Sequence, residues 1–336
     1  FTSSSATTVI RSTAYGDFGS TDIGLDNLNV LILNNCSGTP SAGTINGPSS
    51  SPCLGSSVTL TASGYTNGVT GLTYRWQSST DNINWVNTIG TNPATFTTIV
   101  NGNIWFRLVD TCTNSNQFAV SNVINVNTQT AYTTPWTENF DAMTTLGAGI
   151  LPSCWLNVTG TNAFTSANAA SNTYNDPLSA PNYVTVYYPY TTGSYLWTPA
   201  FQLTAGTSYD FSFYFAGDAT AGWVGDVFYN TSQSATGATA LGASFVTAST
   251  TTVKTYNQVT RTFTPTSSGV YYFGIKAFAS TSAPYYMGFD DFKLDLTPSC
   301  VIPSALSSSN VTTTTATINW TAPTIGTTPT GYEYVV

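Results

Sequence analysis

The 336-residue chain contains no histidine, only seven lysines and arginines, and only two methionines. Without histidine there is no Ser-His-Asp or Cys-His arrangement for nucleophilic catalysis and no Cys/His zinc pattern. Seven basic residues against fifteen acidic ones leave a net charge of -8. That balance excludes nucleic acid as a partner, because phosphate recognition requires clustered lysine and arginine, and it disfavours anionic membrane surfaces. No apolar run approaches the length of a membrane span. No helical period is sustained, and no glycine-rich phosphate loop leads from a strand into a helix. Glutamate is scarce, with Glu138 and Glu333 alone, so the two placed carboxylates of a glycosidase are hard to find. No catalytic residues are assigned, and the chain is not expected to be an enzyme.

What is present is β-strand chemistry. Apolar residues make up 41% of the chain and aromatics 14%, against 7% charged, which is ample for packed cores and unlike a disordered chain. Ser, Thr, Asn and Gly fill the remaining positions. A repeat gives the organisation. Gly24-Leu25-Asp26-Asn27-Leu28 matches Gly288-Phe289-Asp290-Asp291-Phe292, with Arg11 and Lys276 upstream and Cys36 to Pro40 and Cys300 to Pro303 downstream. The expectation is a window of a longer, modular, secreted protein, with no signal peptide at its start. The fold class is all-β, with β-sandwiches in series: a jelly roll, an immunoglobulin-like domain and part of a fibronectin type III-like domain.

The expected divisions are as follows. Residues 1–33 hold the terminal strands of a truncated jelly roll. Residues 34–52 form a Gly/Pro/Ser-rich linker. Residues 53–130 form the immunoglobulin-like domain, with strands over 58–62, 72–77, 104–109 and 119–126 and Trp76 in its core. Residues 131–300 form a complete jelly roll with strands over 182–188, 195–203, 209–215, 224–229, 258–263, 270–278 and 288–294. Residues 301–336 begin the fibronectin-like module, Ala316 to Trp320 supplying a strand.

Residues 131–300 also carry a family resemblance. Glu138-Asn139-Phe140-Asp141, Leu151-Pro152-Ser153-Cys154-Trp155, Tyr195-Leu196-Trp197-Thr198-Pro199-Ala200, Phe213 to Asp218 and Phe289-Asp290-Asp291-Phe292 occur in the order found in the cleaved-adhesin (gingipain-adhesin-like) domains of secreted Bacteroidetes proteins. The segment resembles that family over about half the chain, and the flanking modules are similar to arrays exported by the type IX system. The resemblance implies an extracellular or cell-surface address, the type IX secretion machinery as a partner, and a role in adhesion or gliding motility.

The candidate sites follow. Nine of the fifteen carboxylates lie between Glu138 and Asp295, and in a jelly roll the first and last strands are neighbours. Carboxylates gathered with few bases repel one another unless a cation is present, and calcium takes six to eight oxygens. The resemblance implies structural calcium here, carried to Glu138 and Asp290, with Asp141 and Asp291 as weaker ligands. Asp218 and Asp226 are candidates for a second cation. Trp223, Tyr188, Tyr190 and Tyr285 are candidates for stacking on a sugar. Five cysteines without histidine point to disulfides in an oxidising compartment. One scheme joins Cys53 to Cys112 and Cys154 to Cys300, leaving Cys36 unpaired within the fragment; the alternative joins Cys36 to Cys53. The expected function is a stalk or adhesive section acting on an extracellular surface or glycan. The alternative is a carbohydrate-binding accessory section of a secreted hydrolase.

Overall fold

The computed structural model describes residues 34–90, 92–158, 163–188, 192–247, 255–279, 285–298, 303–323 and 331–332. Every named secondary-structure element among them is a β-strand. The terminal strands expected over 1–33 lie outside the described residues.

The first sandwich packs a three-stranded sheet against a five-stranded one. The smaller sheet runs Ala42–Asn46, Ser56–Tyr65, Thr95–Val100. The larger runs Val86–Asn87, Leu72–Ser79, Ile104–Cys112, Gln117–Val120, with Ile124–Val126 also on Ile104–Cys112. Period-two patterning drives this arrangement. Along Ile104–Cys112 every second residue from Phe106 is buried, and Phe106 and Leu108 meet Trp76, Leu60 and Val58 in one core. Trp76 is fully buried and its ring lies 5.7 Å from that of Phe96.

Two expectations need correction here. The segment 34–52 is not a linker throughout. Ala42–Asn46 is a paired strand, and Ile45 is buried. Thr and Ile between glycines read as a loop, but Gly43 supplies the positive φ that lets the strand bend against Ser63 and Tyr65. The closing strand over 119–126 is broken at Ser121 and Asn122. There the Ser121 hydroxyl accepts the Leu108 N–H, and the Asn122 carboxamide takes both the N–H and the C=O of Ile45. The break ties the two sheets together.

The second sandwich comprises two seven-stranded antiparallel sheets, and its chain crosses between them repeatedly, as in a jelly roll. One sheet runs Gly147–Ala148, Phe164–Asn168, Asn182–Tyr187, Tyr286–Leu296, Tyr209–Ala216, Asn257–Phe263, with Trp136–Glu138 on the far half of Tyr286–Leu296. The other runs Leu156–Val158, Ser194–Trp197, Gly269–Ala279, Trp223–Asn230, Thr239–Ala240, with Phe201–Leu203 and Phe245–Val246 alongside. The single strand expected over 195–203 is two strands, interrupted where the Thr198 hydroxyl accepts the Phe273 N–H and Pro199 cannot donate. The core between the sheets is rich in aromatics: Phe211 stacks on Phe273 at 4.6 Å and Phe213 on Phe292 at 5.3 Å.

Beyond it, Ser304–Ser309 and Thr317–Thr321 pair as a hairpin that is exposed throughout.

Candidate functional site

The strand Trp136–Glu138 zips onto the last strand, Glu138 opposite Phe292 and Trp136 opposite Leu294. The first and last strands are therefore neighbours, and all four carboxylates expected to hold calcium fall in one region. Their side chains, however, take up separate tasks. Asp290 is completely buried; one oxygen accepts the N–H groups of Leu178 and Ser179 at 2.8 and 3.0 Å, and the other accepts that of Asp291 at 2.8 Å. Burial pushes its pKa up to about 7 in spite of those three bonds. Asp291, at φ 50°, turns outward and accepts the Ser179 hydroxyl. Asp141 accepts the Asn182 N–H at 3.0 Å, while the Asn182 amide donates to the carbonyls of Phe140 and Met143. Glu138 accepts the Phe140 N–H at 2.7 Å, and burial raises its pKa.

Each carboxylate thus fastens a loop to the sheet through backbone or hydroxyl donors. Among the described residues no three acidic or cysteine side chains converge as a cation would need. As the side chains stand, Glu138, Asp141, Asp290 and Asp291 do not form one calcium donor set.

Asp218 and Asp226 likewise serve apart. Asp218 is buried and accepts the N–H groups of Thr220, Tyr285 and Tyr286, clipping the loop before Trp223 to the last strand. Asp226 lies opposite Lys276 in register and accepts the Ser244 hydroxyl.

The aromatic candidates divide sharply. Trp223 is completely buried, because it occupies an inward position at the start of Trp223–Asn230. It is a core residue and cannot stack on a sugar. Tyr190 lies outside the described residues. Tyr285 is 41% exposed and joins Tyr188 in a cluster with Tyr174, Tyr187 and Tyr286. In that cluster Tyr174 stacks on Tyr285 at 5.6 Å and on Tyr286 at 5.4 Å, so ring faces are spent on one another.

The disulfides differ from both expected schemes. Cys36 pairs with Cys112, and Cys53 pairs with Cys154. Backbone pairing explains the first: Cys36 donates its N–H to Thr70, and Asn34 accepts that of Thr70, which lays residues 34–36 beside the strand end that carries Cys112. Cys53 sits at the opposite end, where Gly55 bonds to Val100. The nine-residue strand Ile104–Cys112 lies between them, roughly 26 Å long at the usual strand rise. Cys300 lies outside the described residues.

One surface was not singled out from the sequence. On the outer face of the sheet that carries Asp290, a groove of about 410 Å³ is lined by Glu138, Asn139, Tyr214, Gln258, Asp291 and Lys293, among others. Its signal is in Tyr209–Ala216: Phe211, Phe213 and Phe215 point inward, while Asp210 and Tyr214 alternate with them and are half-buried. An aromatic in an otherwise polar outward row marks the place.

Comparison with known proteins adds the following. Residues 41–130 match the model of a domain of unknown function (DUF8696). No curated protein matches the chain. Among solved structures, the chain is similar over part of its length to the K1 cleaved adhesin domain of Lys-gingipain from Porphyromonas gingivalis W83. That match has 20% identity and a TM-score of 0.35, covering 48% of this chain and 98% of that one. The K2 cleaved adhesin domain of Lys-gingipain gives 16% identity and a TM-score of 0.37, with coverage of 48% and 98%. The TmCBM61 module, solved in complex with beta-1,4-galactotriose, gives 14% identity and a TM-score of 0.32, with coverage of 47% and 94%.

Proposed function

We propose that this chain is a non-catalytic section of an extracellular adhesive protein, in which the first sandwich holds the second at a fixed angle and presents it to a surface or glycan. The observation that carries the reading is the joint. Cys53, between the strands Ala42–Asn46 and Ser56–Tyr65 of the first sandwich, is bonded to Cys154 of the second. Around it the Tyr272 hydroxyl donates to the Leu54 carbonyl at 2.9 Å, and the Gln129 amide reaches Ser51 on one side and Ser153 on the other. A covalent bond between domains, surrounded by hydrogen bonds, resists bending where a peptide linker alone would flex.

Disulfides support an oxidising, extracellular address, and no helix among the described residues is long and apolar enough to cross a membrane. Export by a type IX machinery, and any link to gliding, belong to the same proposal and rest on the sequence resemblance alone. Small-angle scattering tests the joint. The native chain should scatter as one rigid particle, and the Cys53→Ser/Cys154→Ser double variant should show a broader distribution of dimensions with both sandwiches folded. Equal flexibility in the two would remove the basis for a rigid presenting arm.

A further inference from the structure

We propose that the groove on the outer face of the second sandwich binds a neutral oligosaccharide, with the face of Tyr214 against a sugar ring and Gln258, Asn139, Glu138 and Asp291 taking its hydroxyls. This deepens the adhesive reading above and rests on it. The lining comes from four neighbouring strands. Gln258 stands opposite Tyr214, Tyr214 pairs with the residue before Asp291, and Glu138 stands opposite Phe292 on the far side. At the usual strand separation those four strands span roughly 14 Å, enough for a short chain of sugars rather than one ring. The groove's volume of about 410 Å³ lies in the range of small-ligand sites.

The chemistry of the lining selects the ligand. A sugar ring offers an apolar C–H face and a rim of hydroxyls that both donate and accept. Tyr214 supplies an aromatic face and Gln258 an amide with two donors and an acceptor, the tyrosine half-buried and the glutamine exposed on their strands. Carboxylate oxygens at Glu138 and Asp291 accept from hydroxyl donors. An anionic ligand is disfavoured because two carboxylates face one cation, Lys293, whose ammonium is already held by Asp295 at 3.0 Å. An apolar peptide is disfavoured because Phe292, the large apolar residue beneath, is buried in the core. The self-stacked tyrosines around Tyr285 form a separate surface and serve as the control.

The test is calorimetric titration of the whole chain with linear oligomers of glucose, galactose, mannose and xylose, and with a uronic-acid oligomer as the anionic probe. At least one neutral oligomer should bind saturably and the anionic one should not. Tyr214→Ala and Gln258→Ala should each weaken binding at least tenfold, and Tyr285→Ala should leave it unchanged. Gln258 is exposed on its strand, so its truncation leaves the fold intact even if Tyr214→Ala disturbs it. Absence of neutral binding, or binding that survives both groove variants, would overturn the assignment, as would loss confined to Tyr285→Ala. A failed groove leaves the scattering test of the joint unaffected, so failure of the groove is distinguishable from failure of the adhesive reading.

Discussion

Asp110 and Asp290 are both fully buried aspartates on strands, and their hydrogen-bond surroundings give them different roles. Among the described residues neither oxygen of Asp110 has a hydrogen-bond partner of ordinary geometry, and burial raises its pKa to about 6 against a smaller opposing effect of the Thr111 N–H. An unfolded aspartate titrates near ~3.9, so the folded state holds the proton more tightly. Stability from this group is full below the unfolded value and is lost as pH rises through the folded one, between about 4 and 6. Asp110→Asn removes the buried charge. The first sandwich should then melt about 4 °C or more higher at pH 8, since ~1 kcal/mol moves a small domain by roughly 4–8 °C, and the fall in stability between pH 4 and 6 should flatten. Asp290→Ala should do the reverse at neutral pH. The two oxygens of Asp290 serve three backbone N–H groups, and alanine offers them no acceptor. Leaving a buried donor unmet costs about 1–3 kcal/mol, visible as a lower melting temperature of the second sandwich. Because Asp290 and its neighbours are satisfied by backbone and hydroxyl donors, a chelator should leave that melting temperature unchanged. A drop of several degrees would show that the carboxylates regroup around a cation.

At the scale of elements, a strand is legible in the sequence where one of its faces is uniformly apolar and is not where tertiary contacts override local pattern. Tyr209–Ala216 is legible because Phe211, Phe213 and Phe215 alternate with polar residues. Ala42–Asn46 is not, because it is short and glycine-containing, and its pairing with Ser56–Tyr65 is a long-range fact. The adjacency of first and last strands follows from topology and is legible in the sequence. The backbone donors that each carboxylate meets are not, because residue type cannot tell whether an aspartate meets a cation or a backbone N–H. Trp223 shows the same limit: a glycine-flanked Trp beside two aspartates reads as a loop residue, yet it begins an inward row. Glycine use within strands is a further hidden constraint. The Phe245 ring lies over Gly225 of the neighbouring strand, where a Cβ would approach it to 2.0 Å. Gly225→Ala forces that ring out of the core against Phe213 and Phe215. Overpacking of this kind costs about 1–3 kcal/mol, so thermal denaturation should report a clear loss of stability. An unchanged melting temperature would mean that the ring moves freely.

For the molecule as a whole, the two disulfides do different work and are protected differently. Cys36 and Cys112 are both buried, and their bond closes a 76-residue separation within the first sandwich. Cys53 and Cys154 are each partly exposed, and their bond joins the two sandwiches across a 101-residue separation. Chain-entropy arguments assign either bond about 4–5 kcal/mol against the unfolded chain, so stabilisation alone does not distinguish them. Access does. Thiol–disulfide exchange requires a thiolate to reach a sulfur atom, and the cysteines of the joint are partly exposed while those of the first sandwich are buried. Titration of the native chain with a small dithiol should therefore reduce Cys53–Cys154 first. Alkylation and mass spectrometry should find Cys53 and Cys154 labelled under conditions that leave Cys36 and Cys112 bonded. At that intermediate stage the chain should already scatter like the Cys53→Ser/Cys154→Ser variant, with both sandwiches folded and the angle between them released. Simultaneous loss of both bonds would mean that the joint is as well protected as the core. The rigidity of the arm would then rest on packing between the sandwiches rather than on the bond that spans them.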